Sequence, residues 1–208
     1  MNHFPRIYDY TMTSRIGTRP ISAMEIAQEL KIDIDEITGD FQTYIESLID
    51  AAVLFAEKCT KRVLINSAFT AYLDGFYPGA LYEIRRSPLN TIESISVVSG
   101  GASSVVSSDV YYFAQSPLFS VLGLSGGYSW PTSDNIMHSV AINFTAGYTT
   151  IPADLKKAVM MYVGQLYANR GDCDLTGPNG GAVTQCSLPA AVKNIFNMYR
   201  IRDIKVGM

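Results

Sequence analysis

The chain has 208 residues, 48% of them hydrophobic and 17% charged, and its sixteen Lys and Arg against nineteen Asp and Glu leave a formal net charge of −3. That apolar content excludes wholesale disorder, and the charge balance argues against a strongly basic nucleic-acid binder. Three scattered cysteines, Cys59, Cys173 and Cys186, exclude a disulfide framework, and no stretch approaches the ~18 apolar residues that span a bilayer. The opening Met1-Asn-His-Phe-Pro-Arg6 has no apolar segment after its charges, so synthesis in a reducing cytoplasm without a secretory signal is expected.

Residues 1–20 have no period and read as an extended arm that needs a partner to become ordered. Ser22-Ala-Met-Glu25 has the spacing of a capping box and predicts a short helix to about Leu30. A turn through Asp33, Asp35 and Gly39 leads to Asp40, the predicted cap of a long helix to Thr60. Its apolar residues Phe41, Tyr44, Ile45, Leu48, Ile49, Ala52, Val53 and Ala56 keep i, i+3, i+4, i+7 spacing, and at 1.5 Å per residue it is about 31 Å long. Leu54 and Phe55 widen the stripe beyond one face, which suggests contacts on two sides.

From residue 63 to 149 the period shortens. Strands are predicted at Ala68–Leu73, Leu81–Arg85, Ile92–Val98, Val110–Phe113, Leu118–Leu122 and Ser139–Phe144, with turn clusters such as Ser99-Gly-Gly101 between them. Ile151-Pro-Ala-Asp154 restarts a helix, which Leu155, Ala158, Val159, Tyr162, Val163, Leu166 and Tyr167 carry to a stop at Gly171. Residues 171–186 read as a mobile loop, Pro189–Tyr199 as a last short helix, and Arg200–Met208 as a basic, alternating tail. The expected fold is α+β. A small bundle of about four helices (21–62 and 150–199) is interrupted by an antiparallel β-sandwich or barrel-like insertion (63–149).

Chemistry-bearing patterns are sparse. Gly123-Leu-Ser125-Gly-Gly127 matches the G-x-S-x-G of hydrolases, but that motif works only as a strand-to-helix turn, and Pro131 with its neighbouring turn residues denies it the helix. Ordinary turn chemistry in a hairpin is the better reading. His3 and His138 stand at no metal-ligand spacing, and Cys59 reads as a small core residue. Residues 25–57 hold nine acids with Lys31 as the one base before Lys58, a pattern usual for a solvated helix face. Glu46 and Asp50, like charges at i, i+4, call for a basic partner or a surface that repels DNA. No catalytic residue, metal or cofactor is expected.

Taken in order, several segments resemble one family. They are Ile21-Ser-Ala-Met-Glu25, Phe41-x-x-Tyr44-Ile-x-x-Leu48-Ile, Cys59-Thr-Lys-Arg62-Val-Leu-Ile65, Tyr72-Leu-Asp-Gly-Phe76, Ile84-Arg-Arg-Ser-Pro88, Phe144-Thr-Ala-Gly-Tyr148, Ile151-Pro-Ala-Asp-Leu155 and Leu166-Tyr-x-Asn169-Arg. The order is similar to that of the head–tail connector (adaptor) proteins of tailed bacteriophages and gene transfer agents, over about residues 20–200. The resemblance implies a non-enzymatic virion protein of the neck, made in the host cytoplasm. It would form a ring, usually a dodecamer, that extends the DNA channel between the portal and the next tail component, and double-stranded DNA would pass without specific binding. On that basis Asn194, Tyr199, Arg200, Ile201, Arg202, Ile204, Lys205 and Val206 are the expected portal-docking residues. Leu54, Phe55, Met160 and Met161 are the expected contacts between subunits. Glu46, Asp50 and Glu57 are candidates for the channel lining, because a conduit that held phosphates tightly would stall DNA. A serine hydrolase using Ser125 and a β-sandwich receptor- or glycan-binding tail module are the competing readings.

Overall fold

A computed structural model describes residues 7, 9–115, 120–169 and 188–201. His3, residues 171–186 with Cys173 and Cys186, and Arg202, Ile204, Lys205 and Val206 lie outside the described residues. The chain divides into two units, a helical one (Arg19–Leu64 and Thr150–Arg200) and a β-rich one (Met1–Thr18, Ile65–Thr149 and Ile201–Met208). The fold is α+β, with four α-helices and eight strands in two antiparallel sheets among the described residues, neither closed into a barrel.

In the helical unit, α1 (Ala23–Leu30) opens on the predicted capping box. Glu25 N–H donates to Ser22 Oγ (3.2 Å) and Ser22 N–H donates to Glu25 Oε2 (3.0 Å), so two otherwise unpaired amides are satisfied. A short 3₁₀ turn, Ile34–Glu36, precedes α2 (Gly39–Thr60), whose N-cap is Thr38. Asp40, predicted as the cap, lies in the first turn instead, where its carboxylate still complements the positive end of the helix. The helices α3 (Ala153–Ala168) and α4 (Ala190–Tyr199) complete the unit.

The core of this unit is the apolar stripe of each helix. Ile26, Ala27, Ile45, Ile49, Ala52, Val53, Ala56, Leu155, Ala158, Val159, Val163, Val192 and Phe196 are all buried. Phe41, Leu48 and Leu166, expected beside them, are half-buried at the edges of the stripe. Three contacts fix the helix directions. Phe41 meets Tyr167 edge-on at 6.4 Å, and Tyr199 Oη donates to Asp154 Oδ1 (2.6 Å) while Arg62 Nε donates to the Tyr199 carbonyl (2.7 Å). So α3 runs antiparallel to α2, and the end of α4 is tied to the end of α2.

In the β unit one sheet has five strands in the order β1-β2-β8-β4-β5: Asp9–Arg15, Ser67–Leu73, Val140–Ala146, Leu89–Ser99 and Ala102–Val105. The other has three, in the order β3-β7-β6: Tyr82–Ile84, Ser120–Leu124 and Tyr111–Gln115. Strand β2 alternates buried and half-buried residues along its length, as its sequence predicts. The strand β1 falls inside the segment read as an arm awaiting a partner, and its partner is β2 of the same chain. Tyr10 of β1 links the two sheets: its hydroxyl donates to the Glu83 carbonyl (3.4 Å) and accepts from Arg85 N–H (3.2 Å). Burial at this junction pushes the Tyr10 hydroxyl up to about 12.

Two sequence motifs acquire a physical meaning here. Gly147 of the Thr-Ala-Gly-Tyr segment has φ +133°, and a Cβ on it would stand 2.6 Å from Asn66 Cα. Its N–H donates to the Pro88 carbonyl (2.8 Å). Only glycine fits that crossing of backbones. The G-x-S-x-G segment is the end of β7 followed by a turn in which Tyr128 N–H donates to the Ser125 carbonyl (3.2 Å), and no helix follows. The expected hairpin is corrected in one respect: β7 and the next strand, β8, belong to different sheets, so this segment opens a crossover.

Candidate assembly surfaces

The acidic face of α2 is compensated from within the chain. Arg19 Nε and Nη2 donate to the two carboxylate oxygens of Asp50 (2.8 and 2.9 Å), and Nη1 donates to Glu46 Oε2 (3.0 Å). The bonds to Asp50 hold the Arg19 guanidinium above its ordinary range. This is the basic partner that the i, i+4 repulsion of Glu46 and Asp50 called for. Glu57 Oε1 accepts the Leu64 N–H (2.8 Å) and so pins the segment that leaves α2. Toward α1 the pattern repeats, with Lys156 Nζ on Glu25 Oε1 (2.5 Å) and Lys157 Nζ on Glu29 Oε2 (2.6 Å). The Lys156 ammonium, then the Ser22 amide, hold the Glu25 carboxyl below its usual range.

The residues expected between subunits divide into two kinds. Leu54 is 46% exposed on α2. Its neighbour Phe55 is half-buried in a cluster with Tyr162 (ring centroids 4.8 Å apart) and Phe196 (6.5 Å). Met160 and Met161 are half-buried on α3. Of the expected docking segment, Asn194 and Arg200 are exposed, Tyr199 is held by Asp154 and Arg62, and Ile201 is buried. Cys59 is half-buried near the end of α2, and burial raises its thiol.

Asp134 and His138, which follow Ser125 of the G-x-S-x-G segment in the sequence, are engaged elsewhere. His138, at φ +61°, stacks on Tyr72 (4.5 Å) and has Nε2 at 3.0 Å from Asp9 Oδ2. Asp134 accepts the N–H groups of Gly100 and Gly101 (2.7 and 3.0 Å), which fastens the turn between β4 and β5. No helix among the described residues is long and apolar enough to cross a membrane.

No protein-family model matches this sequence, and no curated protein does. Solved structures do. A chain in the neck of an empty gene transfer agent particle, a structure with C6 symmetry, superposes with a TM-score of 0.72 at 19% identity over 96% of this chain and 98% of that one. A chain of the native gene transfer agent virion gives the same TM-score, 0.72, over 95% and 98%. A chain of the native particle's neck, with C12 symmetry, gives 0.64 at 20% identity over 94% and 99%. The protein therefore has, over nearly its whole length, the fold of chains found in the neck of a phage-like particle, as the resemblance in its sequence implies.

Proposed function

We propose that the protein is a structural, non-enzymatic subunit of a virion neck, an adaptor that assembles as a ring beneath the portal and joins capsid to tail. The near full-length agreement in fold with the gene transfer agent neck chains carries this reading. Ring contacts fall to the open flank of the helical unit. Leu54 is the leading contact, Met160 and Met161 add apolar area, and Phe55 acts mainly by supporting the flank from within. The segment from Asn194 through Met208 docks on the portal, anchored at Tyr199 and Ile201. Lining of the channel falls to the face of α2 that carries Glu46 and Asp50, softened by Arg19. Glu57 serves the fold there rather than the lumen.

The test is electron microscopy of the purified protein mixed with its cognate portal. Rings stacked coaxially on the portal are the expected result. A protein that stays apart from the portal contradicts the adaptor role, and glycan or receptor binding by the β unit would favour a tail-module role instead.

A further inference from the structure

Among the described residues, the five-stranded sheet ends in two edges of unlike kind. At one end is β1, where every residue from Thr11 to Arg15 is exposed, Met12 by 50%. At the other is β5, where all four residues are exposed, Val105 by 73%. Ala102–Val105 contains neither a charge nor a proline, two of the devices by which natural edge strands avoid pairing, and in β1 the charges stand only at the ends, Asp9 and Arg15, with a bulge between Met12 and Ser14. The β5 edge is held in place. Gly100 and Gly101, at φ +60° and +76°, form the tight turn into it, and Asp134 clamps both of their amides. Every neighbour in this sheet is antiparallel, so β1, β8 and β5 all run in one direction.

We propose that these edges pair with each other between copies, β5 of one subunit lying parallel to β1 of the next. The inference rests on the ring reading above and deepens it. A ring of six or twelve copies needs a contact between two different surfaces of each copy. One sheet whose two unlike edges, unpaired among the described residues, run the same way provides that, whereas β1 against β1 gives an antiparallel two-fold pair. The chemistry of the edges matches: Thr11, Thr13 and Ser14 on one edge and Ser103 and Ser104 on the other carry hydroxyls, and residues of this kind pair across strands. The length of β5 limits the added ladder to about four residues.

The test uses the full chain assembled with its portal. With the native cysteines replaced by serine, Thr11→Cys or Met12→Cys is combined with Ser103→Cys or Ser104→Cys, and the assembly is oxidised. At least one combination is expected to give a ladder of linked copies beyond the dimer, while each single cysteine variant stops at the dimer or below. Independently, in the unmodified protein, amides of residues 11–15 and 102–105 are expected to exchange about tenfold more slowly in the ring than in the free subunit. Rings visible in the same micrographs, with no ladder from any combination and unchanged exchange at both edges, overturn the strand pairing alone. Absence of rings overturns the reading beneath it, and the pairing with it.

Discussion

Gly147 shows how much one residue decides. Its φ of +133° and the 2.6 Å approach of Asn66 Cα leave no room for a side chain. Gly147→Ala is expected to cost more than about 2 kcal/mol, since strain and overlap act together, and urea unfolding would measure it. Arg19 is the opposite case, an exposed guanidinium whose three bonds to Glu46 and Asp50 are screened by water. A double-mutant cycle of Arg19→Met with Asp50→Asn is expected to give a coupling of only about 0.5–1 kcal/mol that shrinks with added salt. Glu25 sets a pH dependence. Its carboxyl is held down by Lys156 and the Ser22 amide, so the stability it adds is present above the ordinary carboxylate range and is lost as pH falls through its lowered value. Glu25→Gln is expected to flatten that part of the acid-unfolding profile, and an unchanged profile would show the pairing to be inert.

Among the elements, α2 carries two adjacent residues with different tasks. Leu54→Glu is expected to leave unfolding unchanged and to block assembly, because its side chain is 46% exposed. Phe55→Ala is expected to lower stability by about 2 kcal/mol, because it removes a ring packed on Tyr162 and Phe196. Thermal unfolding and sedimentation of both variants separate the two. The helices were legible in the sequence because each buries one stripe at helical spacing, and α1 also begins at a recognisable cap, Ser22, whereas for α2 the sequence points to Asp40 instead of Thr38. Strands with one face in a core, such as β2, were legible for the same reason at a period of two. The edge strands β1 and β5 were not, since Thr11–Arg15 and Ala102–Val105 are exposed on both faces and no alternation is imposed on them. The acidic run was legible as a cluster but not as a compensated one. Its bases, Arg19, Lys156 and Lys157, come from positions 27 to 131 residues away, and only the fold brings Lys156 and Lys157 to Glu25 and Glu29.

For the whole molecule, the sequence order of the two units matters most. The β unit takes the segment before the helical unit as well as Ile65–Thr149, which interrupts it, and the chain returns to the β unit at Ile201. Ile201 is buried, so a chain ended after that residue is expected to keep its stability and to lose attachment to the portal; co-sedimentation with the portal is the check. The fold shared with gene transfer agent neck chains covers nearly the whole chain and so both units, and the structural role proposed above is accordingly one for the whole chain. The most direct test of that role is a cryo-electron microscopy reconstruction of the neck of particles that contain this protein. A ring of identical copies between portal and tail, each with this fold, is the expected density. Particles whose neck lacks the protein, or that carry it as a single copy elsewhere, would contradict the account.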